Sequence, residues 1–207
     1  MTTTNRIDEK MLASHAISHP DRAAEILWPE QQFENHTCGL HALSAIYRGF
    51  GLNPESENLR IRLGVDIPAV PIDSTTTGTL HPDLLRVLAE DELAWRMIDP
   101  SLANATGEIA QSLAARHPLL ILISRPENGH LHWIAADRFD GQNLRVIDSL
   151  KASPTFFELD VFLRDQALSV IEIMPAPNDF KPNAHLEGIL EMNAVRQRLA
   201  ARMQTTP

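Results

Sequence analysis

The sequence predicts an α+β fold, with helices in its first half and antiparallel strands in its second. Three observations predict it. Leu43, Ile46, Tyr47 and Phe50 recur at i, i+3, i+4 and i+7, which is one face of a helix. The apolar run Pro118 to Ile123 has the length of a central strand. Asp140-Gly141, between two stretches of strand character, is a hairpin signal. Helices grouped ahead of strands indicate α+β rather than alternating α/β.

Residues 1–27 read as an N-terminal helical extension. Leu12 to Ile17 and Arg22 to Leu27 suit short helices, interrupted by Pro20 and closed by Pro29. Gln31 to Thr37 is polar and irregular. A helix then starts at Cys38, with Thr37 as N-cap and Gly49 and Gly51 at its end. Residues 53–63 suit a second helix. Gly64 to Thr79 reads as a loop, with Pro68, Pro71 and a Ser/Thr run. Loops of that length are commonly functional or mobile. A third helix covers Pro82 to Asp91, with Leu84, Leu85 and Leu88 on one face, and Trp95 to Ile98 is a short strand. Thr106 caps a helix to about Arg116, with Ile109 and Leu113 inward.

The period then changes. After the Pro118 to Ser124 strand come His130 to Phe139 and Asn143 to Ser149, paired as a hairpin. Phe156 to Asp165 reads as a helix and Leu168 to Met174 as a strand. Pro175, Pro177 and Pro182 mark a linker. His185 to Met203 is an amphipathic helix with Leu186, Ile189, Leu190, Leu199 and Met203 on one side, suited to docking or to binding a partner. The expected organisation is an extension (1–27), one domain (28–174), and a linker with a terminal helix (175–207).

Composition removes several function classes. Lys and Arg number 18 against 27 Asp and Glu, a net charge of −9 with no basic cluster. Such a surface does not suit nucleic acid or an anionic membrane. The single cysteine excludes an internal disulfide and zinc sites of the multi-cysteine kind. Met1 to Lys10 is polar and lacks the features of a secretory signal, and the longest apolar run is far short of the ~20 residues that span a bilayer. The expectation is a cytoplasmic protein, with export that needs no classical signal, as for a delivered effector, an open alternative.

Cys38 stands at the first turn of its helix. The helix start carries partial positive charge and unpaired N–H groups, which favour a thiolate and hence a nucleophile. Gly39 leaves the sulfur approachable. Gln32, six residues earlier, carries an amide able to donate to an oxyanion beside the Cys38 N–H, with Gln31 its local competitor. His132 lies early in one hairpin strand and Asp148 late in the other. A three-residue loop, with Phe139 opposite Asn143, gives paired residues summing to 282. His132 and Asp148 are then diagonal neighbours on one face, while an odd sum separates them. His130 shares that parity and is the alternative imidazole. Asp137 points away and reads as surface, Asp140 reads as a turn residue, and Trp133 reads as core or cleft wall. His36, Cys38 and His41 are a conceivable but poorly spaced metal set.

These motifs resemble those of papain-like cysteine peptidases. The motifs are Gln six before Cys, Cys-Gly opening a helix, His followed by an aromatic and small aliphatics, and Asp on the next strand. The closer resemblance is to the bacterial leader-processing peptidases that cut after double glycine, over roughly residues 28–174. The resemblance implies a papain-like fold and a Cys-His-Asp triad acting through an acyl-enzyme on a peptide or protein substrate. Cys38 would be nucleophile, His132 general base and acid, Asp148 orienter and Gln32 oxyanion donor, with no metal or organic cofactor. Thr37 stands where that branch tends to have Asp, and no exporter membrane domain follows. The resemblance therefore implies the cysteine chemistry rather than the double-glycine specificity. The same fold also serves acyl transfer, deamidation, or peptide binding without catalysis.

Overall fold

The computed structural model describes residues 24–65, 78–125 and 129–205. Helices α1 (Cys38–Gly49), α2 (Ser56–Leu63) and α3 (His81–Glu90) precede strand β1 (Leu93–Ile98) and helix α4 (Ala105–Ala114). Then follow β2 (Leu119–Ser124), β3 (Leu131–Phe139), β4 (Asn143–Ile147), β5 (Thr155–Glu158), α5 (Leu159–Asp165), β6 (Ala167–Pro175) and α6 (Ala184–Thr205). All six strands form one antiparallel sheet in the order β1-β6-β2-β3-β4-β5.

Both faces of the sheet are covered. Leu120 and Leu122 of β2 join a core with Leu43 and Ile46 of α1, with Phe50 directly after it, and with Leu84, Leu85 and Leu88 of α3. Leu119, Ile121 and Ile123 join a second core with Ile109 and Leu113 of α4 and Phe162 of α5. A strand buried on both sides has no polar face, which is why β2 reads as one unbroken apolar run. The sequence-predicted face of α1 is buried throughout. Gly49 has a packing role as well as ending the helix, since a Cβ there would collide with the Leu27 side chain.

Several expectations are corrected. The stretch 156–165 is not one helix: Thr155–Glu158 pairs with Asn143–Val146 as edge strand β5, and only then does α5 begin. Phe156 faces solvent while Phe157 packs on Phe162, a strand-like alternation too short to stand out beside the helix that follows. At α4 the N-cap position is Asn104, and Thr106 lies inside the helix with its hydroxyl donating to Asp160. In the expected 22–27 helix, residues 24–27 are irregular instead. Ala24 and Leu27 enter the first core, and the Ala24 and Glu25 N–H groups donate to the Arg116 and Gly49 carbonyls. The Leu12 to Ile17 helix and most of the Gly64 to Thr79 loop lie outside the described residues.

Of the five apolar residues expected on the inward face of the terminal helix α6, only Leu199 packs against the core. Leu186, Ile189, Leu190 and Met203 are exposed, whereas Glu191 and Val195 are buried. Polar contacts decide this orientation. Trp95 Nε1 donates to Glu187 Oε2 at 2.7 Å, and Arg198 binds Glu191, Asp99 and the Leu168 carbonyl. Gly188 lets α6 meet the backbone of α3 at Pro82. Among the described residues, no helix is long and apolar enough to cross a membrane.

Candidate active site

Cys38 opens α1 and is buried, and α1 packs against β3. Thr37 occupies the N-cap position but makes no side-chain cap. Its hydroxyl and its N–H both bond to the Glu34 carbonyl instead, at 2.9 and 3.2 Å. Gly39 has a packing role, because a Cβ there would collide with the Thr79 side chain.

The hairpin is built differently from the expectation. Phe139 pairs with Leu144, not Asn143. Asp140 Oδ1 accepts the N–H groups of Gln142 and Asn143 at 2.9 and 2.7 Å, and Gly141 adopts a φ of +102° between them. That turn alone would set paired residues to an odd sum. A bulge at Asp137 takes up the extra residue, so that Ala136 pairs with Val146 and Ala135 with Ile147. The even sum of 282 is thereby restored at the His132 end, for a reason absent from the sequence reading.

His132 Nε2 and Asp148 Oδ1 lie 2.7 Å apart. The His132 ring also interacts with the neighbouring Cys38 thiol, and the Trp133 N–H donates to Cys38 Sγ at 3.5 Å. Burial works against a charged imidazole at position 132. The bond to Asp148 and the interaction with Cys38 outweigh burial and raise its pKa from 6.5 to about 9. Burial likewise opposes ionisation of Asp148. Bonds from His132 and the Leu150 N–H, with the charges of His132 and Arg125, outweigh it and lower that pKa. His130 precedes β3 and is exposed.

Gln32 is half-buried and Gln31 exposed. The Gln32 side chain accepts from the Ser149 hydroxyl through Oε1 and donates from Nε2 to the Glu34 carbonyl at 3.1 Å. Its N–H donates to the Ser149 carbonyl at 3.0 Å. His41 lies 4.0 Å from Glu30. Among the described residues, no group of three or more His, Cys, Asp or Glu is placed to hold a metal ion.

A buried histidine beside Trp133 escaped the sequence reading. His81 is buried, with Nε2 3.1 Å from Ser169 Oγ and its ring 4.8 Å from that of Trp133. Trp133 Nε1 donates to the Thr79 carbonyl at 2.9 Å. Asp137, expected at the surface, has a nearly buried carboxylate. It binds Arg145 at 2.6 Å and accepts the Leu27 N–H at 2.8 Å. The bulge is what sends Asp137 there, and regular alternation does not foresee it.

No protein-family model matches the chain, and no curated protein matches it. Solved structures do. One is a double-glycine-motif protease from an AMS/PCAT transporter, in complex with its leader peptide. It is 15% identical, with a TM-score of 0.52, over 75% of this chain and 96% of that one. Another is the peptidase domain of Streptococcus ComA, a bifunctional ABC transporter of a quorum-sensing pathway. It is 15% identical, with a TM-score of 0.53, over 72% of this chain and 97% of that one. The likeness is one of fold, and the chain has the papain-like α+β fold of these peptidase domains.

Proposed function

We propose that the protein is a cysteine peptidase, hydrolysing a peptide or isopeptide bond through Cys38, His132 and Asp148. The observation that carries this reading is the His132 imidazole, bonded through Nε2 to a carboxylate and set beside the only sulfhydryl of the chain, whose sulfur accepts the Trp133 N–H. An acceptor on Nε2 leaves Nδ1 to serve the sulfur, the two-sided arrangement of a triad. A raised imidazole pKa beside a thiol is what an imidazolium–thiolate pair requires.

In this mechanism the Cys38 thiolate attacks the carbonyl carbon, and the carbonyl oxygen takes the negative charge. The Cys38 N–H and Gln32 Nε2 donate to that oxygen. His132 gives its Nδ1 proton to the leaving nitrogen as the C–N bond breaks, and a thioester remains on Cys38. His132 then takes a proton from water, the hydroxide attacks the thioester, and the acid product leaves with the thiolate restored. The proposed substrate class is a peptide or protein, in line with the leader peptide held by one structural neighbour.

Cys38→Ala tests the reading. Digestion of a degenerate decapeptide pool, read by mass spectrometry, should yield new hydrolytic termini with the native chain and none with the variant, at an unchanged melting temperature. Undiminished cleavage by the variant would sink the proposal. Alkylation supplies a second check. Iodoacetamide at mildly acidic pH should label Cys38 of the native chain faster than free cysteine.

A further inference from the structure

A side-chain amide can serve an oxyanion only if its N–H end, rather than its oxygen, faces the reacting atoms. We propose that Ser149 is the positioning residue that holds Gln32 in the orientation the Glu34 carbonyl selects, an inference that rests on the thiol-hydrolase reading above. The Glu34 carbonyl has no hydrogen to give, so the group facing it must be the Gln32 NH2. Oε1 is thereby turned to Ser149, whose hydroxyl donates to it. Exchanging the two ends of the amide would set carbonyl against carbonyl. One of the two Nε2 hydrogens goes to Glu34, and the second is the one assigned to the oxyanion.

The surroundings suit this role. Ser149 is buried and holds Gln32 twice, through its hydroxyl and through its carbonyl. It directly follows Asp148, so a single turn after β4 aims the carboxylate at His132 and the hydroxyl at Gln32. The Glu34 carbonyl that orients the amide also receives the Thr37 N–H and hydroxyl, one residue before Cys38. Upstream, the Leu27 N–H donates to Asp137 and the Leu27 carbonyl accepts from Arg145. The segment that carries Gln32 is therefore pinned at both ends before any substrate arrives.

The test compares two reactions of Cys38 in the full chain. p-Nitrophenyl acetate acetylates the sulfur: the S–C bond forms, the carbonyl oxygen becomes an oxyanion, and nitrophenolate leaves. Iodoacetamide alkylates the same sulfur without an oxyanion. Ser149→Ala should slow acetylation about tenfold, part of the 10²–10³ that a whole oxyanion donor is worth, with alkylation unchanged. Ser149→Thr should restore acetylation, and Ser149→Ala in a Gln32→Ala background should add no further loss. Full-speed acetylation in Ser149→Ala, with Gln32→Ala slow, overturns the proposal and leaves the peptidase reading intact. A joint fall of both reactions overturns it too, since Ser149 would then act on the thiol or on the fold. If Gln32→Ala acetylates as fast as the native chain, Gln32 is no oxyanion donor and Ser149 has nothing to position. A native chain that does neither reaction faster than free cysteine removes the peptidase reading itself, and this proposal with it.

Discussion

Two buried histidines meet at Trp133, and the protein treats them oppositely. His132 precedes Trp133 in β3, while His81 packs its ring on the indole from α3. They are 4% and 3% exposed, so burial alone would neutralise both. His81 obeys. Burial, helped by the charge of Arg198, lowers its pKa to about 4, and its bonding partner is the neutral hydroxyl of Ser169. At His132 burial also works downward, but Asp148 and Cys38 reverse the outcome and carry the pKa to about 9. The comparison teaches that depth does not set protonation in this core. The charge of the partner does.

The largest way to break the contrast is Asp148→Asn. Without the carboxylate, the His132 pKa should fall from about 9 toward the ordinary 6.5. Peptide hydrolysis should fall about a thousandfold, within the 10²–10⁴ associated with acid–base catalysis. Histidine ring titration by NMR and a turnover assay check the two together. An unmoved pKa would assign the shift to something other than Asp148.

Acid and alkali should then separate the two rings. The folded pKa of His81 lies below 6.5, so the fold favours its neutral form. That stabilisation is whole above pH 6.5 and is lost as pH falls through 4, a swing of about 3 kcal/mol for a shift of this size. The folded pKa of His132 lies above 6.5, so the fold favours its protonated form. That contribution is whole below pH 6.5 and is lost as pH rises through 9. Urea unfolding across pH should show both limbs, and His81→Gln should flatten only the acidic one. A smaller effect sharpens the same point. Ser169→Ala leaves a buried ring nitrogen without its partner and should cost about 1–3 kcal/mol at neutral pH, with the His132 titration unchanged.

Local rules carried much of the sequence reading. The α1 face, the apolar run of β2 and the hairpin punctuation each depend on neighbours in the chain, so β2, β3, β4 and β6 and the positions of Cys38 and His132 were legible. What was not legible depends on distant partners. The inward face of α6 is chosen by Trp95, Asp99 and the Leu168 carbonyl, which no helical period reveals. Strand β5 exists because β4 offers an edge, and its four residues are too few to declare a period. Thr37 looked like a cap because Thr caps helices, yet Glu34 captures its hydroxyl. Gln32 had only spacing in its favour over Gln31, and its partners Ser149 and Glu34 appear only in three dimensions.

The extra residue at 137 has a further meaning for how this hairpin tolerates change. In a regular ladder, gaining or losing one residue at the tip would swap the faces of everything on the far side. In this hairpin the surplus is absorbed between Ala136 and Arg138, midway from the tip to His132. Length at the outer end and alignment at the inner end are thereby matched to each other: a tip one residue shorter keeps the imidazole and carboxylate on one face only if the bulge closes with it.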